Sequence, residues 1–125
     1  MANLLLVALG GALGAVTRFA VGALVARKLG VAWPYGTFLI NMTGCLIIGL
    51  FLPVLADRPG VHDAWRHFLP IGFVGAYTTF STFEYETLRL VELGAWRSAG
   101  SYVLLSNAVG LLCVWLGVLV GRKAF

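Results

Sequence analysis

Charged side chains are scarce in this chain: Asp, Glu, Lys and Arg make up 11% of its 125 residues, where soluble domains carry about a quarter. Scarcity on that scale, with 60% hydrophobic residues, excludes an ordinary soluble domain. The mean hydropathy of +0.92 leaves no stretch polar enough to fold as a separate aqueous module, so residues 1–125 read as one transmembrane domain. Cysteine is nearly absent too. Cys45 and Cys113 both lie deep in apolar runs, which argues against a disulfide framework and for buried small apolar side chains. The net charge of +4 does not point to nucleic acid, because the basic residues stand in ones and twos at the ends of apolar runs, where membrane-flanking charge belongs. The start, Met1-Ala2-Asn3, lacks the basic region of a cleaved signal peptide, so the first apolar run is expected to be a retained helix.

What is present is a set of apolar runs near the length of about 20 residues that a bilayer demands of a helix. They cover approximately residues 4–26, 36–55, 68–90 and 99–120, and predict an all-α membrane protein of four transmembrane helices. Trp33-Pro34-Tyr35 breaks the first two apart, with Trp33 and Tyr35 as interfacial anchors, and Asp57-Arg58-Pro59-Gly60 is a turn cluster. Short connections make the helices packed neighbours. Gly10 with Gly14, Gly72 with Gly75 and Ala76, and Gly117 with Gly121 recur at helix-packing spacing, with no indication of whether they face their own chain or another.

The third run is unusual. Thr78, Thr79, Ser81 and Thr82 crowd its middle, and Ser81-x-x-Glu84 fits a capping box, which marks a helix start. A start there predicts that the third helix is broken near residues 76–80. A break presents carbonyls to a cation near Gly75 to Thr78, and N–H and hydroxyl groups to an anion near Thr79 to Thr82. The competing reading is a continuous helix kinked by hydroxyls bonded to its own carbonyls. Phe80 and Phe83 share a helical face, and ring edges are electropositive, which suits a dehydrated anion; plain core or lipid contact is the alternative.

Other polar groups in the runs have two readings each. Asn41 is either an ion-facing amide or an interhelical hydrogen bond, and Thr37 divides the same way. Tyr102 and Ser106, four apart, form a polar track or an ordinary helix contact; Arg18 snorkels outward or enters a polar vestibule. No enzyme is expected, since no nucleophile is paired with a base. His62 and His67 have only Asp63 nearby, with no thiolate, so they make no metal cluster. Glu84, Glu86 and Glu92 follow the break toward the membrane edge, a poor place for proton coupling.

Four helices put both termini and the second loop on one side, with Arg58, Arg66, Arg122 and Lys123; the other side carries Arg27, Lys28, Arg89 and Arg97. Balanced charge leaves the positive-inside rule nothing to act on. Either something else orients the chain, or it inserts both ways and pairs with an inverted copy of itself.

In combination, these residues resemble the Fluc (CrcB) fluoride channels of bacteria over nearly the full length. The resemblance rests on Gly10-Gly11-x-x-Gly14-Ala15-x-x-Arg18-Phe19, Gly36-Thr37-x-x-x-Asn41-x-x-Gly44, Gly72-Phe73-x-Gly75-x-x-Thr78-Thr79-Phe80-Ser81-Thr82-Phe83, and Tyr102 with Ser106. Ala76, where a second glycine is frequent, and the bulky Tyr77 depart from that pattern. The resemblance implies an antiparallel, dual-topology homodimer in the bacterial inner membrane, exporting fluoride passively through two antiparallel pores. It places Asn41, Phe80 and Phe83 on the pore, with Thr37, Thr79, Ser81, Thr82, Tyr102 and Ser106 as polar lining and Arg18 in the vestibule. It also implies a structural sodium ion at the dimer axis, held by main-chain carbonyls of Gly75 and Thr78. A small multidrug transporter of the dual-topology kind is the rival, but it requires a membrane-embedded Glu in the first helix, and residues 4–26 contain no acid.

Overall fold

The computed structural model describes residues 1–57 and 63–124; the turn read at Arg58, Pro59 and Gly60, and His62, lie outside the described residues. Helices α1 (Ala2–Leu29) and α2 (Tyr35–Asp57) come first. α3 covers residues 63–77, α4 is Phe80–Glu92, and α5 is Trp96–Ala124. No strand occurs among the described residues. α1, α2 and α5 are each long and apolar enough to cross a membrane. α3 and α4 are the two halves of the broken third helix. At about 1.5 Å per residue, α4 alone rises only about 20 Å, short of the roughly 30 Å hydrocarbon core.

Two helix pairs make the bundle: α1 packs along α3, and α2 along α5. Small residues decide both seams. Gly10 and Gly14 lie against the Phe68 and Phe73 main chain, and a methyl built on Gly72 would sit 2.9 Å from the Val7 carbonyl oxygen. On the other seam a methyl at Gly117 would come within 2.8 Å of the Leu50 nitrogen, and Gly121 meets the Leu50 carbonyl. These glycines therefore pack helices of one chain, the close backbone approach that membrane helices use in place of a hydrophobic driving force.

α3 is not a regular helix. Its middle, His67–Val74, is π-helical and contains Pro70. Proline supplies no N–H, and its ring clashes with the carbonyl four residues back in an α-helix; the wider i→i+5 turn relieves the clash. Tyr77 is accommodated by being buried: its hydroxyl lies 2.8 Å from Thr43 Oγ1 on α2 and its ring stacks on Phe73 at 5.7 Å. α4 ends in a Schellman motif, with Ala95 N–H on the Leu90 carbonyl and Gly94 N–H on that of Val91. Gly94 has φ 72°, a conformation that costs a residue with a Cβ about 1–2 kcal/mol. The turn delivers α4 onto α5 and closes a core of Phe83, Leu90, Ala99 and Tyr102. Trp33 folds onto that core, its ring 5.1 Å from Tyr102 and 5.3 Å from Phe38.

Candidate functional site

The break in the third helix falls at Thr78 and Thr79, both extended, with φ, ψ of −79°, 160° and −150°, 118°. Asn41, on α2, faces it. Its Oδ1 accepts the Thr79 N–H at 2.9 Å, and its Nδ2 donates to the Thr79 carbonyl at 3.0 Å. Both main-chain polar groups of one residue are thus satisfied by one side chain 38 positions away. This is an interhelical bond, and it leaves Nδ2 one further proton.

The start of α4 differs from the sequence expectation. Its N-cap is Thr79, whose Oγ1 accepts from the Thr82 N–H at 3.3 Å and donates to Thr82 Oγ1 at 3.0 Å. Ser81 is instead inside the first turn, its hydroxyl 3.5 Å from Thr79 Oγ1, so the Ser81-x-x-Glu84 capping box is not the one used. Thr79 caps alone, without a Glu or Gln three residues on, and Asn41 places the cap there by holding Thr79 extended. Phe80 and Ser81 then keep N–H groups with no partner inside the helix, at its positive end.

At the other lip, Thr78 N–H and Oγ1 both donate to the Val74 carbonyl, at 3.0 and 2.9 Å. The Thr78 carbonyl points onward and draws the Arg18 guanidinium to 3.4 Å. Gly44 makes room for this lip, since a methyl there would collide with Thr78 Cγ2.

Two cavities meet at Thr79. The larger, about 710 Å³, opens beside Arg18, Thr37, Thr82, Glu86 and Arg89. The smaller, about 310 Å³, is lined by Asn41, Thr78, Phe80, Phe83, Ser106 and Asn107 among others. Phe80 and Phe83 have centroids 5.9 Å apart at 40°. They differ in exposure: Phe83 is 7% exposed and packs edge-on against Tyr102, whereas Phe80 is 74% exposed on the chain's outer face. Ser106 carries the one buried side-chain polar atom among the described residues that has no hydrogen-bond partner.

Thr37 and Tyr102 are organised by a residue that sequence reasoning set aside. Thr37 Oγ1 donates to Glu86 Oε1 at 2.9 Å and Tyr102 Oη donates to Oε2 at 2.8 Å. Glu86 is half-buried, and its two donors are almost wholly so, at 7% and 0% exposure. A signal existed: Phe83, Glu86 and Leu90 share one helical face, and that face carries the buried residues of α4. Glu92 is different, pairing with Arg89 at 2.7 Å on the surface.

Three helices long and apolar enough to span a membrane, with a further helix interrupted by a polar break, define a multi-pass membrane protein. The sequence matches the family model described as "CrcB-like protein, Camphor Resistance (CrcB)" over residues 5–118, and the chain belongs to that family. Among its relatives, a protein of Acidobacterium capsulatum named "Fluoride-specific ion channel FluC" is 55% identical over 117 residues, covering 94% of each chain. Proteins of the same name from Chloroflexus aurantiacus and Coxiella burnetii are 45% and 44% identical over 122 residues. The first match covers 98% of this chain and 97% of the relative, the second 97% and 98%. These names describe channels, not enzymes.

Proposed function

We propose that this chain forms a fluoride-selective passive channel, an antiparallel dual-topology homodimer in the bacterial inner membrane with two antiparallel pores. The observation that carries the reading is the smaller cavity. It gathers an unpartnered buried hydroxyl on Ser106, the remaining Nδ2 proton of Asn41 and the Phe80 and Phe83 rings, with no carboxylate among its lining residues. Fluoride needs donors that replace its hydration shell, at sites weak enough to release it again. Hydroxyl, amide and ring edge are such donors, and full-length relatives that are named fluoride channels make fluoride the anion of choice.

In this mechanism Arg18 and the hydroxyls of Thr79 and Thr82 receive the anion at the larger cavity, near the positive end of α4, with the Ser81 hydroxyl beside Thr79 on the first turn. Asn41 and Ser106 then donate to it as it passes Phe80 and Phe83. Glu86 fixes Thr37 and Tyr102 alongside that path. Dimerisation is favoured by Phe80, a large ring left 74% exposed on a pore wall, which a second copy would cover. The balanced flanking charge supports insertion in both orientations.

A structural sodium ion at the dimer axis belongs to the same proposal. The donor set fits a hard cation, which prefers oxygen ligands. The carbonyls of Gly75 and Thr78 would hold it, and the approach of Arg18 to the Thr78 oxygen supports a negative potential there. Bound, the ion would neutralise the carbonyl end of α3 from both subunits. The test of function is ion efflux from liposomes reconstituted with pure protein and a potassium shunt. Rapid fluoride release without chloride release is expected; no fluoride flux, or equal chloride flux, would refute the reading.

A further inference from the structure

In an uninterrupted α-helix the Gly75 carbonyl would accept the N–H four residues on, which is that of Thr79. Here that N–H is taken by Asn41 Oδ1 at 2.9 Å. The next carbonyl concerned, that of Thr78, would accept from Thr82, whose N–H is taken by Thr79 Oγ1 at 3.3 Å. Thr79 occupies its capping position only because it is extended, and Asn41 grips it from both sides, through Oδ1 and through Nδ2 at 3.0 Å. One side chain on α2 therefore releases both carbonyls from their helical partners.

We propose that Asn41 is the positioning residue of the cation site at the break. Its Oδ1 keeps the Thr79 N–H away from the Gly75 carbonyl and so leaves that oxygen free to ligate sodium. The inference rests on the sodium ion of the proposed function and adds to Asn41 a task separate from donating to fluoride. The two tasks use different atoms. Fluoride would take an Nδ2 proton, whereas the cation site depends on the Oδ1 acceptor. Without an acceptor at position 41, the Thr79 N–H returns to Gly75, α3 gains a residue, and the cation loses a ligand.

Substitutions separate these roles. Asn41→Asp keeps an acceptor of the same size, whereas Asn41→Leu removes it. The readout is the midpoint of thermal unfolding of the purified full chain in detergent, measured in sodium chloride and in N-methylglucamine chloride. Wild type is expected to melt higher in sodium. Asn41→Asp is expected to keep that shift although its fluoride flux falls, and Asn41→Leu to lose the shift. A wild-type-sized shift in Asn41→Leu, or its loss in a folded Asn41→Asp, overturns the proposal. If Asn41→Leu does not fold, the Asn41→Asp arm decides by the same criterion. A wild-type protein indifferent to sodium instead overturns the sodium reading itself, which keeps the two failures distinguishable.

Discussion

Ser106→Ala should move stability and flux in opposite directions. Ser106 Oγ is buried without a partner on the wall of the smaller cavity. Stranding a buried hydroxyl costs about 1–3 kcal/mol, and serine in a helix interior is a few tenths of a kcal/mol worse than alanine. Removing it is expected to stabilise the empty protein by about 1 kcal/mol or more, a gain of about fivefold or more in the folding constant. Fluoride passing the site would lose a hydrogen bond to a charged species, about 1.5–3 kcal/mol. Flux should then fall roughly tenfold to a hundredfold, since each 1.4 kcal/mol is a factor of ten. Denaturant titration in detergent measures the first quantity and fluoride efflux from liposomes the second. A destabilised Ser106→Ala protein with unchanged flux would sink the assignment, because it would mean that the hydroxyl serves the fold and not the ion.

Other expectations concern the residues around that wall. Phe83→Ile should suppress fluoride efflux while the dimer still assembles, measured by efflux and by cross-linking in the same liposomes; wild-type rates would contradict the pore lining. Glu86→Leu leaves the Thr37 and Tyr102 hydroxyls without their acceptor. Polar contacts between membrane helices average about 0.6 kcal/mol and reach about 1.7, so losing two should destabilise by roughly 1–3 kcal/mol. Glu86→Gln, which keeps one acceptor, should lose less, and denaturant midpoints of the two variants rank them. Gly117→Val puts a branched side chain where even a methyl lies 2.8 Å from the Leu50 nitrogen, and overpacking of this order costs about 1–3 kcal/mol. Its loss of thermal stability should exceed that of Gly100→Val, where no atom lies within 4 Å of the added methyl.

The membrane class and the interrupted third helix were legible because they depend on local composition: apolar length for α1, α2 and α5, a hydroxyl cluster for the break. What escaped the sequence was set by distant partners. Ser81-x-x-Glu84 is the fuller local capping signal, and Thr79 takes the cap instead because Asn41, from another helix, holds it extended. Glu86 looked peripheral by its place in the chain. Its partners are 49 and 16 residues away, and only the buried stripe of Phe83 and Leu90 hinted at them. The glycine pairs were visible, but which surface they served depended on helix order in space, which spacing does not encode. The π-helical turn likewise follows from Pro70 being held inside a packed seam, a constraint that local propensity does not encode.

That turn has a consequence for how related chains vary in length. Each i→i+5 ring in His67–Val74 holds one residue more than the α-helical ring it replaces. A single-residue deletion that removes Pro70 is absorbed by relaxation to the α pitch, leaving the break and α4 in register. The same deletion in the body of α1 or α2 swings the flanking turns about 100° apart and carries Gly10 or Asn41 off its neighbour. Single-residue gaps among homologous sequences should therefore gather between residues 67 and 74, and the stretch serves as an evolutionary slip joint ahead of a site that tolerates no rotation.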